Sequence, residues 1–307
     1  MVVHLQIIFI KQYYPIPMKR FILFLATALL IGACTPNHVP DDIQKQTEWL
    51  DRTEGFQDKY GLEQLVVLSR HNIRAPLVGK GSVLSRVTDP SYQWFQWEDP
   101  ASHLTAKGQR LEAQMGTFFR EWLTKKGFTD PYSAGNGKFR FYANAKQRCQ
   151  HTARTFVDAV FPGACPEVEM KVEFDKMDPV FNPQITKLPE GFAEKARQEI
   201  AARMGISMPG VAPQYTIIEN LIGITRSVAY PDTISFSQFP STVGFKLHAE
   251  PFMNGGLKIA CTVSDALVLQ YHEEPDPRKA AFGHEMGTDD WQNVAWVKKH
   301  QQHAGRS

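Results

Sequence analysis

Hydrophobic and polar positions alternate in texture along the first half of the chain, and the alternation predicts a sequence of elements. Leu62 to Leu68 is an apolar, β-branched run of strand length, as expected for a strand buried on both faces. The stretch from Gly79 to Ser102 is rich in turn formers and carries "YQWFQWEDP", which reads as a loop with exposed aromatics; for Trp94 and Trp97, packing within the loop is expected ahead of a place lining a sugar-facing mouth. From Leu104 to Gly127 the apolar residues Leu111, Met115, Phe118, Phe119 and Trp122 fall at helical spacing, and the run ends at a C-cap glycine. A second strand is predicted at "KFRFYAN" and a second helix over Lys146 to Phe161, with Cys149, Ala153, Phe156, Val157 and Val160 as its inward face.

Strand, helix, strand, helix in that order implies an α/β fold with a mostly parallel sheet flanked by helices. Ligands of such sheets bind at the carboxyl ends of the strands. Two arginine-bearing loops fall there: Arg70 to Arg74 after the first strand, and Arg148 after the second, where a helix begins. A helix N-terminus offers backbone donors and a partial positive charge, so the place suits a phosphate.

From Cys165 the texture changes to Pro-rich segments and helical stretches such as "GFAEKARQEIAARMG", which reads as an inserted, mainly helical cap region. "CTVSDALVLQYHEE", Cys261 to Glu274, reads as a helix returning to the main domain. The expected organisation is a leader over 1–34, a tether over 35–59, an α/β core over 60–164, a cap over 165–260 and a returning segment over 261–307.

The leader is read from "MKRFILFLATALLIGAC", where two cations precede an apolar run that ends in small residues and a cysteine. This is the layout of a secretory signal, Met18 to Ala33, with Cys34 as a lipidated first residue. The apolar run is too short for the roughly 20 residues that span a bilayer. Met1 to Pro17 precede a complete signal, as an early start codon would leave them, and are expected to stand outside the fold.

With 43% apolar residues among 307, the chain can bury a sizeable core, and a net charge of +2 without a long basic run points to neither nucleic acid nor a basic membrane face. Membrane contact is expected only through the lipid at Cys34. Cys149 and Cys165 flank a predicted helix that holds them about 20 Å apart, beyond disulfide reach; a Cys165 to Cys261 bridge and free buried thiols both remain open. No H-E-x-x-H and no paired C-x-x-C is present, so a metal site is not expected.

The candidate chemistry is concentrated in "LVVLSRHNIRAPL", which contains R-H-x-x-R-x-P at Arg70, His71, Arg74 and Pro76. With residue types at roughly one in twenty, four specified positions match a chain of this length by chance about twice in a thousand. An ion-pair network at a strand end is the plainer reading of the three cations, and a solvated helix-start cation that of Arg148. His103, His151, His300 and His303 read as surface or satisfied histidines.

The run "SRHNIRAPL" followed by "GSVL", and then "LTAKG", "MGTFFREWL", "YANAKQR", "FPG" with a cysteine just after, "MDPVFNP" and "SDALVLQY", strongly resembles the histidine acid phosphatase family. Within it, the likeness is to the bacterial glucose-1-phosphatase group more than to general phytases. The resemblance implies a phosphoglycerate-mutase-like α/β domain with an inserted cap, a small phosphomonoester as substrate, no cofactor and a periplasmic location. It makes His71 the nucleophile that forms a phosphohistidine, with Arg70, Arg74 and Arg148 holding the phosphate oxygens. Glu250, in "HAEPFMNGGLKIA", falls where glucose-1-phosphatases place a residue that narrows the substrate pocket.

The family also supplies a proton to the leaving alcohol from an H-D or H-A-E motif that follows the "SDALVLQY" helix by several tens of residues. Here His248 to Glu250 precede that helix, and His284 with Glu285 follow it too closely. The chain reaches Ser307 in the polar stretch "VKKHQQHAGRS" before such a motif, so the proton donor is unassigned and the family's last core strand is expected to be missing. A truncated member that binds phosphate without completing turnover is therefore the alternative to an active acid phosphatase.

Overall fold

The computed structural model describes residues 5–11, 64–125, 139–207, 211–228 and 235–304. Two compact units divide the chain, one formed by 4–71 with 112–174 and the other by 72–111 with 175–307. These borders are not those expected from composition, because the segment after 261 shares a unit with the expected cap.

In the unit of 4–71 and 112–174, a four-stranded sheet has the order β2 (Gln64–Arg70), β1 (Leu5–Lys11), β3 (Phe139–Tyr142), β4 (Val168–Glu169). β1 is antiparallel to both neighbours and β4 is parallel to β3, so β2, β3 and β4 share one direction. The placement of β1 corrects the expectation that everything before Pro17 lies outside the fold. Leu5–Lys11, "LQIIFIK", is rich in residues that favour strands and fills the gap between β2 and β3.

Leu65 and Val67 of β2 and Phe139, Phe141 and Tyr142 of β3 are buried, while Val66 and Leu68 are only half-buried. The helices α1 (Val83–Val87), α2 (Ala106–Lys125) and α3 (Gln147–Val160) follow in chain order, with α2 crossing from one unit into the other. α3 buries Cys149, Thr152, Ala153, Phe156, Val157 and Val160, which is the predicted face with Thr152 added. Its close approach to α2 depends on Gly116, where a Cβ would stand 2.6 Å from the Phe156 carbonyl oxygen and 2.7 Å from Ala159 Cβ. The C-cap glycine predicted for α2, Gly127, lies outside the described residues.

The unit of 72–111 and 175–307 contains α4 (Phe192–Ser207), α5 (Ala212–Ile222), the hairpin β5 (Thr242–Gly244) and β6 (Phe252–Asn254), then α6 (Gly256–Glu273), α7 (Pro277–Ala280) and α8 (Thr288–Ala304). Its core is centred on α6, whose Leu257, Ala260, Val263, Ala266 and Leu267 are buried in one cluster with Ile218, Leu221 and Ile222 of α5 and Trp291, Val294 and Val297 of α8.

Two expectations are corrected here. The loop read as carrying exposed aromatics packs on α6, since the Phe95 amide donates to Gln270 Oε1 at 2.7 Å, and Trp94, buried at 8% exposure and edge-on to Phe282, packs as the reading of that residue expects. The stretch read as a polar tail continues a helix whose inner side is apolar, with Val297 fully buried. Among the described residues Cys149, Cys165 and Cys261 are free thiols, and Cys165 is exposed. Cys34 and the expected signal over 18–33 lie outside the described residues, as do the side chains of His300 and His303.

Candidate active site

β2 ends at Arg70, and the next residue, His71, is buried at 5% exposure. The turn that follows is held by the chain it meets. Asn72 Oδ1 accepts the Ile73 amide at 2.8 Å, the Ile73 carbonyl accepts the Thr105 amide at 2.9 Å, and Arg74 forms an antiparallel bridge with Leu104. Thr105 also caps α2, since its hydroxyl accepts the Gly108 amide at 3.0 Å. A Cβ on Gly108 would lie 2.5 Å from the Ile73 carbonyl oxygen and 2.9 Å from its nitrogen. The role of "LTAKG" is therefore structural, because it lets the first turn of α2 lie directly against the motif loop.

In the unit of the sheet, Arg148 sits in the first turn of α3, one residue before the buried Cys149. Burial pushes the Cys149 thiol up to about 12, while Arg148, then Arg70, then Lys146 pull it the other way. Three cations from the end of β2 and the start of α3 thus act on one sulfur.

Arg74, in the other unit, is largely buried and forms an ion pair with Asp265 of α6, Nη2 to Oδ2 at 2.5 Å; its Nη1 donates to the Ala75 carbonyl at 3.2 Å. The second oxygen of Asp265 meets Lys298 of α8. Burial lowers the Arg74 pKa from its ordinary value, and the facing carboxylate supports the charged form. Sequence reasoning does not single out Asp265 or Lys298: Asp265 lies inside a matched motif, and Lys298 in the stretch read as tail.

Glu250 is half-buried in the turn joining β5 and β6, and burial raises its carboxyl above the ordinary range. That turn is tied down, with His248 N–H on the Ile185 carbonyl at 2.8 Å and Ile185 N–H on the Ala249 carbonyl at 3.0 Å. Ile185 follows "MDPVFNP" by two residues, so the segment just after this motif anchors the Glu250 turn. His284 shares a hydrogen bond with the Tyr92 hydroxyl at 3.1 Å, and the exposed Glu285 pairs with Arg278 at 2.6 Å. Arg70 and Arg148 are brought to one place; Arg74 and Glu250 belong to the other compact unit.

Residues 61–195 match the family model described as "Histidine phosphatase superfamily (branch 2)". The chain is 31% identical over 284 residues to a glucose-1-phosphatase of Salmonella typhimurium, covering 92% of this chain and 64% of that protein. It is 33% identical over 243 residues to a glucose-1-phosphatase of Providencia rettgeri, covering 77% of this chain and 57% of that one. The chain thus spans about three fifths of the length of these curated relatives. Among solved structures, the phytase of Citrobacter braakii superposes with a TM-score of 0.63 at 21% identity, over 76% of this chain and 59% of that one, which is a likeness of fold.

Proposed function

The chain belongs to the histidine phosphatase superfamily, branch 2, and from that premise we propose that it is an acid phosphomonoesterase acting on small sugar phosphates through a phosphohistidine. One observation carries the reading: Arg70 at the end of β2 and Arg148 at the start of α3 bear on the same buried sulfur, with His71 the next residue along the chain. A phosphomonoester brings two negative charges, and planar guanidinium groups hold its oxygens with paired donors. The His71 imidazole attacks phosphorus, the ester P–O bond breaks, and the leaving oxygen takes a proton from a carboxylic acid. Water then opens the phosphohistidine to release inorganic phosphate. Attack requires the unprotonated imidazole.

Glu250 is the proposed specificity residue, its turn fixed by Ile185. Glu285, exposed and paired with Arg278, is poorly suited to be the proton donor. This favours a second reading in which the chain binds phosphate without completing turnover. A periplasmic location with a lipid at Cys34 belongs to the same proposal.

Hydrolysis of glucose 1-phosphate and p-nitrophenyl phosphate by the full chain at acidic pH, beside His71→Ala, tests the proposal. Turnover that disappears in the variant, with an acid-labile phosphoenzyme trapped in the parent, is the expected result. Phosphate binding without turnover would select the second reading, and equal turnover in the variant would exclude His71 as nucleophile.

A further inference from the structure

The surroundings of Arg74 contain more charge than a phosphate-binding arginine needs. Asp265 reaches its Nη2 at 2.5 Å, and Lys298 meets the other oxygen of the same carboxylate. The side chains are 18%, 12% and 15% exposed, so solvent screens the three charges only weakly. A carboxylate beside an anion-binding arginine opposes the anion unless something offsets it. Lys298 supplies the offset: Arg74, Asp265 and Lys298 together carry one net positive charge, the same as Arg74 alone.

Building on the phosphatase reading, we propose that Asp265 is a positioning residue for Arg74 and that Lys298, contributed by α8, balances its charge. The carboxylate fixes one nitrogen of the guanidinium while the Ala75 carbonyl takes another, which sets the plane of the fork. α8 thereby enters the site's energetics without contacting substrate. A purely structural salt bridge would hold α6 to the loop and leave anion affinity to net charge alone, and that difference can be measured.

Calorimetric titration of inorganic phosphate into the full chain separates these roles, with thermal melts run on every variant. Asp265→Asn removes a negative charge, so charge alone would tighten phosphate binding; loss of positioning weakens it about tenfold, the scale of one charge-assisted hydrogen bond. The pair Asp265→Asn with Lys298→Met restores the parent's net charge and removes the ammonium that Asp265→Asn alone would leave without its carboxylate. It is expected to stay about tenfold weak, whereas Asp265→Glu recovers much of the affinity. Parent-like binding by the double variant, or tighter binding by Asp265→Asn, would overturn the proposal while leaving the phosphatase reading intact. A parent chain that binds no phosphate would overturn the phosphatase reading itself and this proposal with it.

Discussion

Glu219 in α5 is 5% exposed and accepts the Phe236 amide, and burial raises its pKa above the ordinary 4.5 despite that bond. The folded state therefore holds this proton more tightly than the unfolded state, and stability contributed by Glu219 is lost as pH rises through the folded value. Glu219→Gln keeps an acceptor for Phe236 and removes the charge. Its melting temperature should exceed the parent's at pH 7.5, and the gap should close towards pH 4; a variant less stable at pH 7.5 would contradict this sign. Thiols give a second residue-scale check, since burial pushes both Cys149 and Cys261 up to about 12 while Cys165 is exposed. Iodoacetamide at neutral pH, mapped by mass spectrometry, should label Cys165 promptly and the other two only after denaturation. At this scale the motif cations are readable because they sit within five consecutive residues. The partner of Arg74 is not, because Asp265 is 191 residues away and only the fold brings it near.

Helices with a clear period declare themselves. The inward face of α3 follows from spacing alone, because one apolar stripe on a 3.6-residue repeat has only one way to be buried. α6 begins earlier than the predicted start at Cys261, at Gly256, where a Cβ would lie 1.9 Å from the Phe236 carbonyl oxygen, so the close packing there needs a glycine. α8 is hidden because charged and amide residues surround its apolar positions, although Trp291, Val294 and Val297 keep a spacing of three that a search for short stripes would find. Gly108 supplies the element-scale prediction. Gly108→Ala must lift α2 from Ile73, at a cost of about 1–3 kcal/mol for overpacking, and should reduce the proposed phosphatase activity more than its loss of stability explains. Gly79→Ala, where nothing lies within 4 Å of the new Cβ, is the control. Equal effects of the two on melting temperature would show that the contact with the motif loop is slack.

At the scale of the whole molecule, β1 and the proposed leader make opposite demands on the same residues. β1 is paired along both edges, from Leu5 with Arg70 to Lys11 with Gln64 on one side, and from Ile7 with Tyr142 to Ile10 with Phe139 on the other. Processing at Cys34 would remove it. Adjacent strands sit about 4.8 Å apart, so β2 and β3 would then face each other across roughly twice that distance with unpaired backbone donors and acceptors. Such edges lower stability and invite pairing with other chains. Leu5–Lys11 is strand-like in sequence, and it is the logic of processing, not of folding, that places the run outside the fold. Intact-mass analysis of protein recovered from a bacterial membrane fraction should give a chain beginning at a lipidated Cys34. That form should melt below the full chain made without export and scatter more light on heating. Equal melting temperatures would mean that β1 adds nothing to the sheet it joins, and an unprocessed mass would remove the lipid anchor from the proposal while leaving the sheet as described.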